Sequence, residues 1–189
     1  MPRPREFDHD DVLVRALGLF WLRGYDGTSI TDLVNGTGVQ RQSLYNVFAD
    51  KAGIFRAALA CYIARVTESL APLDAPAAGL PAIRRYMEGV LEVQRDFGAC
   101  ILVKTAFGPA IIDPDVRAAV EHGAELVRAR FRAVVERAQR RGQVADGVSP
   151  PAAAAYLYAV LNGLAALVAT GGDRKHVTTT IDHALASLT

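Results

Sequence analysis

Apolar positions recur at spacings of three and four along almost the whole chain, and that period predicts helices. Val12, Leu13, Ala16, Leu17 and Phe20 mark the first. Asp8 or Asp10 can start it, and Gly24 ends it with Tyr25 beyond as an apolar partner. Ile30, Leu33 and Val34 give a short second face, with Ser29 as N-cap and Asp32 in the capping-box position. Asn35-Gly36-Thr37-Gly38 breaks it, because two glycines accept φ > 0 and Asn and Thr prefer caps. Val39 returns to the core, Gln40 to Ser43 open a third helix with polar side chains, and Leu44 and Phe48 face inward. Asp50 then caps a helix that carries Ile54, Phe55, Ala58, Leu59, Tyr62, Ile63 and Val66 to about Leu70.

The segment Ala71 to Gly79 reads as a Pro/Ala/Gly linker dividing the chain. Beyond it, Pro81 opens a helix bearing Ile83, Tyr86, Met87, Val90, Leu91 and Gln94, which ends near Phe97-Gly98. The nearly all-apolar run ACILVKTAFG predicts a short buried helix that stops at Gly108-Pro109. Asp113-Pro114 starts a long amphipathic helix to about Arg141; Ser149-Pro150 and Asp173 start the last two. No segment has strand period, so the expected class is all-α, with about nine helices.

Two short helices joined by a tight turn form a helix-turn-helix, whose second helix enters the DNA major groove with its N-terminal residues on base edges. The ordered set Gly24-Tyr25, Thr28-Ser29-Ile30, Gly38-Val39, Ser43-Leu44-Tyr45, Phe48 and Lys51 resembles the N-terminal domain of the TetR family of bacterial repressors. The resemblance covers roughly the first quarter of the chain. It implies a helix-turn-helix domain over 1–52, and a ligand-binding and dimerisation domain over 53–189. It further implies DNA contacts by Thr28, Ser29, Gln40, Arg41, Gln42, Ser43, Tyr45, Asn46 and Lys51. Lysine is not what a helix dipole favours at the first position of a helix, so Lys51 makes sense with a phosphate beside it.

Charge changes the picture somewhat. Through residue 51 the bases are Arg3, Arg5, Arg15, Arg23, Arg41 and Lys51; the acids are Glu6, Asp8, Asp10, Asp11, Asp26, Asp32 and Asp50. The domain is therefore not basic as a whole, and binding must rest on local placement, with modest non-specific affinity. Arg3 and Arg5 form a short arm, read equally well as a phosphate or minor-groove contact and as a solvated tail. Cys61 and Cys100 lie far apart without metal-ligand spacing, which argues against a disulfide framework and a zinc site and suits a reducing cytoplasm. His9, His122, His176 and His183 fall in no catalytic motif, so neither catalytic residues nor a cofactor is expected. Ala152 to Thr170 spans nineteen residues with one Asn. Its Ala and Gly content points to a buried interface helix rather than to a membrane span.

For the second half the resemblance implies a homodimer with a small-molecule effector, unidentified, and palindromic double-stranded operator DNA as partner. FGACILVKTAFG is similar to a run in one group of these repressors, where Gly-Cys-Leu is usually followed by Asn. Ala99 and Lys104 depart from it. Val90, Phe97, Cys100, Ile101, Phe107 and Phe131 are expected to line an apolar cavity, with Tyr86 and Lys104 as polar contacts. Lys104 is the only charge between Phe97 and Gly108, so it either snorkels to solvent or awaits a ligand's anionic or carbonyl group. Ala152, Ala155, Ala159, Gly163, Ala166 and Thr170 make a small-residue stripe assigned, with Ile181, Leu185 and Leu188, to the dimer contact. Two other readings remain open: a redox-responsive regulator acting through Cys100, and a dimeric scaffold that uses the helix-turn-helix to bind protein.

Overall fold

The computed structural model describes residues 8–189; the Arg3 and Arg5 arm lies outside the described residues. Among those residues there are nine α-helices and no strands. They are α1 (His9–Arg23), α2 (Ile30–Thr37), α3 (Arg41–Phe48), α4 (Lys51–Leu70), α5 (Leu80–Phe97), α6 (Ile101–Ala106), α7 (Pro114–Arg140), α8 (Pro150–Ala169) and α9 (Arg174–Ala186).

Local chemistry sets these boundaries. Asp8 caps α1 by accepting the N–H of Asp10 at 2.9 Å, and Gly24 leaves the helix at φ 74. Ser29 and Asp32 form the expected capping box at α2, which ends at Gly38 in the left-handed region. Asp50 accepts the Gly53 N–H at 2.7 Å. Asp113 accepts from Asp115 and Val116 ahead of Pro114.

Two apolar cores result. The first joins α1 to α4 around Phe20, Leu33, Leu44 and Leu59, and Ile101, Leu102 and Val116 complete it from further along the chain. The second gathers Met87, Phe131, Leu157 and Ile181 from α5, α7, α8 and α9. An ion pair from Arg56 to Asp113, 2.8 Å, ties α4 to the start of α7.

Three expectations need correction here. The segment Ala71 to Gly79 is not a free linker: Ala71–Asp74 forms a 3-10 turn, and Leu73 is 1% exposed within the second core. Arg137 donates to the Leu73 carbonyl and Arg141 to that of Ala77, so long side chains from the last turn of α7 and its C-cap fasten it. The α6 run is only half buried, because Ile101, Leu102 and Thr105 turn inward while Ala106 faces out. Finally, Ile181 is 0% exposed within its own chain and cannot reach a partner subunit.

Helix α8 is long and apolar enough to cross a membrane by length and composition. One face is core, through Ala153, Leu157, Leu161, Leu164 and Val168. The other carries Ala152, Ala155, Ala159, Gly163 and Ala166, all exposed. A Cβ built on Gly163 meets nothing within 4 Å. The stripe therefore does not pack on a helix of its own subunit.

Candidate functional site

The helix-turn-helix presents its polar residues at the start of α3. Gln40 stands at the N-cap without a side-chain capping bond, so its amide stays available. Gln40, Arg41, Gln42 and Asn46 are exposed, and Ser43 and Tyr45 half-exposed. Arg41 lies 5.6 Å from the centroid of the Tyr45 ring, and Gln42 Nε2 donates to Asn46 Oδ1 at 3.0 Å. These contacts set a shared direction for the polar face of α3. The Lys51 ammonium sits 4.2 Å from the Tyr25 ring centroid, held by the ring's negative face.

Ser29 and Thr28 behave differently from one another. The Ser29 hydroxyl donates to Asp32 Oδ2 at 2.5 Å, and the Asp32 N–H returns to Ser29 Oγ at 3.1 Å. Arg23 donates to the other carboxylate oxygen at 2.5 Å. The Ser29 hydroxyl, then its backbone N–H and then Arg23 hold the Asp32 carboxyl down at about 2. Thr28 is 0% exposed, and its hydroxyl donates to the Gly24 carbonyl at 2.7 Å. Its expected DNA contact is corrected on that ground: the side chain secures the turn after α1.

The second site is a cavity of about 510 Å³ enclosed by helices from both halves of the chain. Of the expected lining residues, Tyr86, Val90 and Cys100 border it. Phe131 is buried against the Tyr86 ring, 5.7 Å between centroids, behind that wall. Phe97 stacks on Trp21 at 4.7 Å. Ile101 belongs to the first core and borders, with Lys104, a smaller cleft of about 160 Å³. Phe107 is 90% exposed, because the chain turns outward before Gly108-Pro109. Phe97, Ile101, Lys104, Phe107 and Phe131 are therefore corrected out of the main cavity.

Lys104 is half-buried and lies outside the main cavity. Its ammonium donates to the Trp21 carbonyl at 2.9 Å and to the Phe97 carbonyl at 2.8 Å. Burial pushes its pKa down, while two carbonyl dipoles at helix C-termini favour the charged form.

Sequence reasoning missed Leu17 and Trp21 of α1 and Tyr62 of α4 as walls of the cavity. Trp21 Nε1 donates to the Ala99 carbonyl at 2.9 Å, and the Tyr62 hydroxyl lies 3.2 Å from Cys100 Sγ. Burial, with Cys100 beside it, raises the Tyr62 pKa well above the ordinary tyrosine value. Burial also pushes Tyr86 up to about 12, against a hydrogen bond with Ser69. Cys61 and Cys100 are both free thiols. Among the described residues no group of His, Cys, Asp and Glu could hold a metal ion.

Comparison with known proteins bears on both sites. Residues 12–58 match the family described as bacterial regulatory proteins of the tetR family. Residues 79–184 match the tetracyclin repressor-like C-terminal domain. The chain belongs to the TetR family of bacterial transcriptional regulators. It is 49% identical over 63 residues to the transcriptional repressor ComR of Escherichia coli, a match spanning 33% of this chain and 30% of that one. It is 30% identical over 148 residues to the uncharacterized regulator YezE of Bacillus subtilis, covering 76% of each. The fold is similar to that of the TetR-family regulator CifR, a cysteine mutant solved with 26-base-pair operator DNA. The two chains are 27% identical, with TM-score 0.86 over 99% of this chain and 100% of that one. These relatives are transcriptional regulators, not enzymes.

Proposed function

We propose that this TetR-family regulator is a cytoplasmic, homodimeric repressor that binds a palindromic operator through α3 and leaves it when a small molecule enters the cavity. Residues 1–52 then read DNA, and 53–189 bind effector and partner subunit. The solved complex of the similar CifR chain with operator DNA supports the first half of this reading. In a dimer the two α3 helices would lie roughly 34–36 Å apart, one turn of DNA.

The observation that carries the second half is the position of α1. Val12, Ala16 and Phe20 of that helix are buried in the core beneath the recognition helix. Leu17 and Trp21 of the same helix wall the cavity. A ligand there touches the DNA-reading unit directly, so it can favour one placement of α1 by differential contact alone. Fluorescence anisotropy with the intergenic duplex beside the protein's own gene tests the reading. Salt-sensitive binding that exceeds binding to random duplex is expected. Equal affinity for both would defeat it.

A further inference from the structure

The cavity's polar groups are unevenly distributed, and the imbalance describes the ligand. Two arginines border it, Arg65 on α4 and Arg85 on α5, and none of the described lining residues is acidic. Both are exposed, and neither makes an ion pair or hydrogen bond among the described residues. Arg84, next in sequence, shows the usual alternative: it pairs with Asp182 at 2.9 Å and with Glu88 at 3.3 Å. The exposed lining residues, Arg65, Ser69, Pro72, Arg85, Gly89 and Val93, all come from α4, α5 and the turn between them. The mouth thus opens between those helices, with Arg65 and Arg85 on its rim.

Inside lies a second imbalance. Gln94 is 3% exposed, borders the cavity, and its Oε1 has no hydrogen-bond partner among the described residues. A buried amide left unpaired costs free energy that a ligand group can recover. Gln94 follows Arg85 by nine residues on α5, roughly 13 Å of helix rise. Between these ends the walls include Val66, Tyr86, Val90 and Val127, and the other polar groups there are the tyrosine hydroxyls, the Cys100 thiol and the Asn162 amide, the last already hydrogen-bonded to Tyr158.

We propose that the cavity takes an amphipathic organic acid: a carboxylate held at the mouth by Arg65 and Arg85, an apolar body, and a second oxygen function that pairs with the Gln94 amide. Guanidinium groups bind carboxylates through charge-assisted, often bidentate bonds, and a neutral or cationic head forfeits them. The assignment rests on the effector reading above for its regulatory meaning, but not for binding itself.

Isothermal titration of the full-length protein with dodecanoate, its terminally hydroxylated counterpart and dodecanol tests it. Dodecanoate should bind about tenfold or more tighter than dodecanol, the margin of one charge-assisted contact. The double variant Arg65→Gln/Arg85→Gln should erase that margin while leaving dodecanol binding unchanged. Gln94→Leu, close in volume, should erase the preference for the hydroxylated acid over the plain one. Equal binding of acid and alcohol, no binding of any acid, or a hydroxyl preference that survives Gln94→Leu would each overturn the proposal. Acid binding that follows this pattern without moving operator affinity would sustain the ligand class and defeat the effector reading instead.

Discussion

The Lys104 ammonium donates to the carbonyl oxygen of Trp21, 2.9 Å away, and so fastens α6 to the last turn of α1. Its second bond, to Phe97 O, fastens the end of α5 at the same point. Three helix ends therefore meet on one nitrogen. Trp21 adds its own bond to Ala99 and its stack on Phe97. Under the proposed function, this junction would carry a movement of α5 around a ligand to α1.

Lys104→Met keeps the chain's length and removes both bonds. Two partly buried carbonyls lose their donor, so a loss of roughly 1–3 kcal/mol in unfolding free energy is expected. Trp21 is the only tryptophan, and its emission should shift in the folded variant as the junction loosens. Urea titration followed by tryptophan fluorescence reads both. Unchanged stability and emission would show that the bonds do not hold the junction.

Acid should weaken the first unit through Asp32. Its carboxyl is held at about 2 against an ordinary 3.8, chiefly by the Ser29 hydroxyl. A depressed carboxylate contributes stability above its unfolded pKa and loses it as pH falls through the folded value. The contribution is thus intact at neutral pH and fades between about 4 and 2. Asp32→Asn should be less stable than the parent at pH 6, and the gap should narrow across that window. A gap that does not depend on pH would assign the difference to capping geometry rather than to charge.

The caps were legible in the sequence because capping is local chemistry. Ser29 with Asp32, Asp50 before Lys51 and Asp113 before Pro114 each declare a helix start within four residues. The cavity was not legible, since a void is defined by what several helices leave unfilled. Phe107 and Phe131 are the same residue type, yet one is exposed and the other fully buried; their type carries no information about which side of a wall they occupy. Gln94 did leave a trace. It falls in the apolar stripe of α5 with Met87 and Leu91, and a polar side chain at such a position marks a place where the core expects a partner.

Arg41 is exposed at the first turn of α3, beside the Tyr45 ring. If it holds a guanine edge, Arg41→Ala costs about 1–3 kcal/mol per half-site and relaxes the preference at that base pair. Binding isotherms with operator and with duplexes altered at single positions measure this. Equal losses on operator and random DNA would reduce Arg41 to a phosphate contact.

Lys51 predicts a different signature. Its ammonium is held over the Tyr25 ring at the start of α4, and if it meets a DNA phosphate there it reads no base. Lys51→Ala should weaken all duplexes alike and reduce the slope of log affinity against log salt by about 0.9 for each contact removed. A slope equal to that of the parent would leave Lys51 as a helix-start side chain packed on an aromatic ring.

Gly163 tests the subunit contact. It lies at the centre of the exposed face formed by Ala155, Ala159 and Ala166, where a partner helix can approach toward the lower end of the ~8–10 Å interaxial range. A Cβ here meets nothing within 4 Å in its own subunit, and the position is exposed, so the Gly163→Leu side chain has room to turn outward from the monomer. Leucine is also the better helix former, by roughly 0.5–1 kcal/mol. Across a two-fold axis, however, each chain brings the added bulk to the same contact, and overpacking costs about 1–3 kcal/mol. The variant should remain helical and melt cooperatively while its sedimentation coefficient falls to that of a monomer. Operator affinity should fall with it, since one half-site replaces two. A folded Gly163→Leu chain that still sediments as a dimer would place the subunit contact elsewhere and leave the small-residue face of α8 without this role.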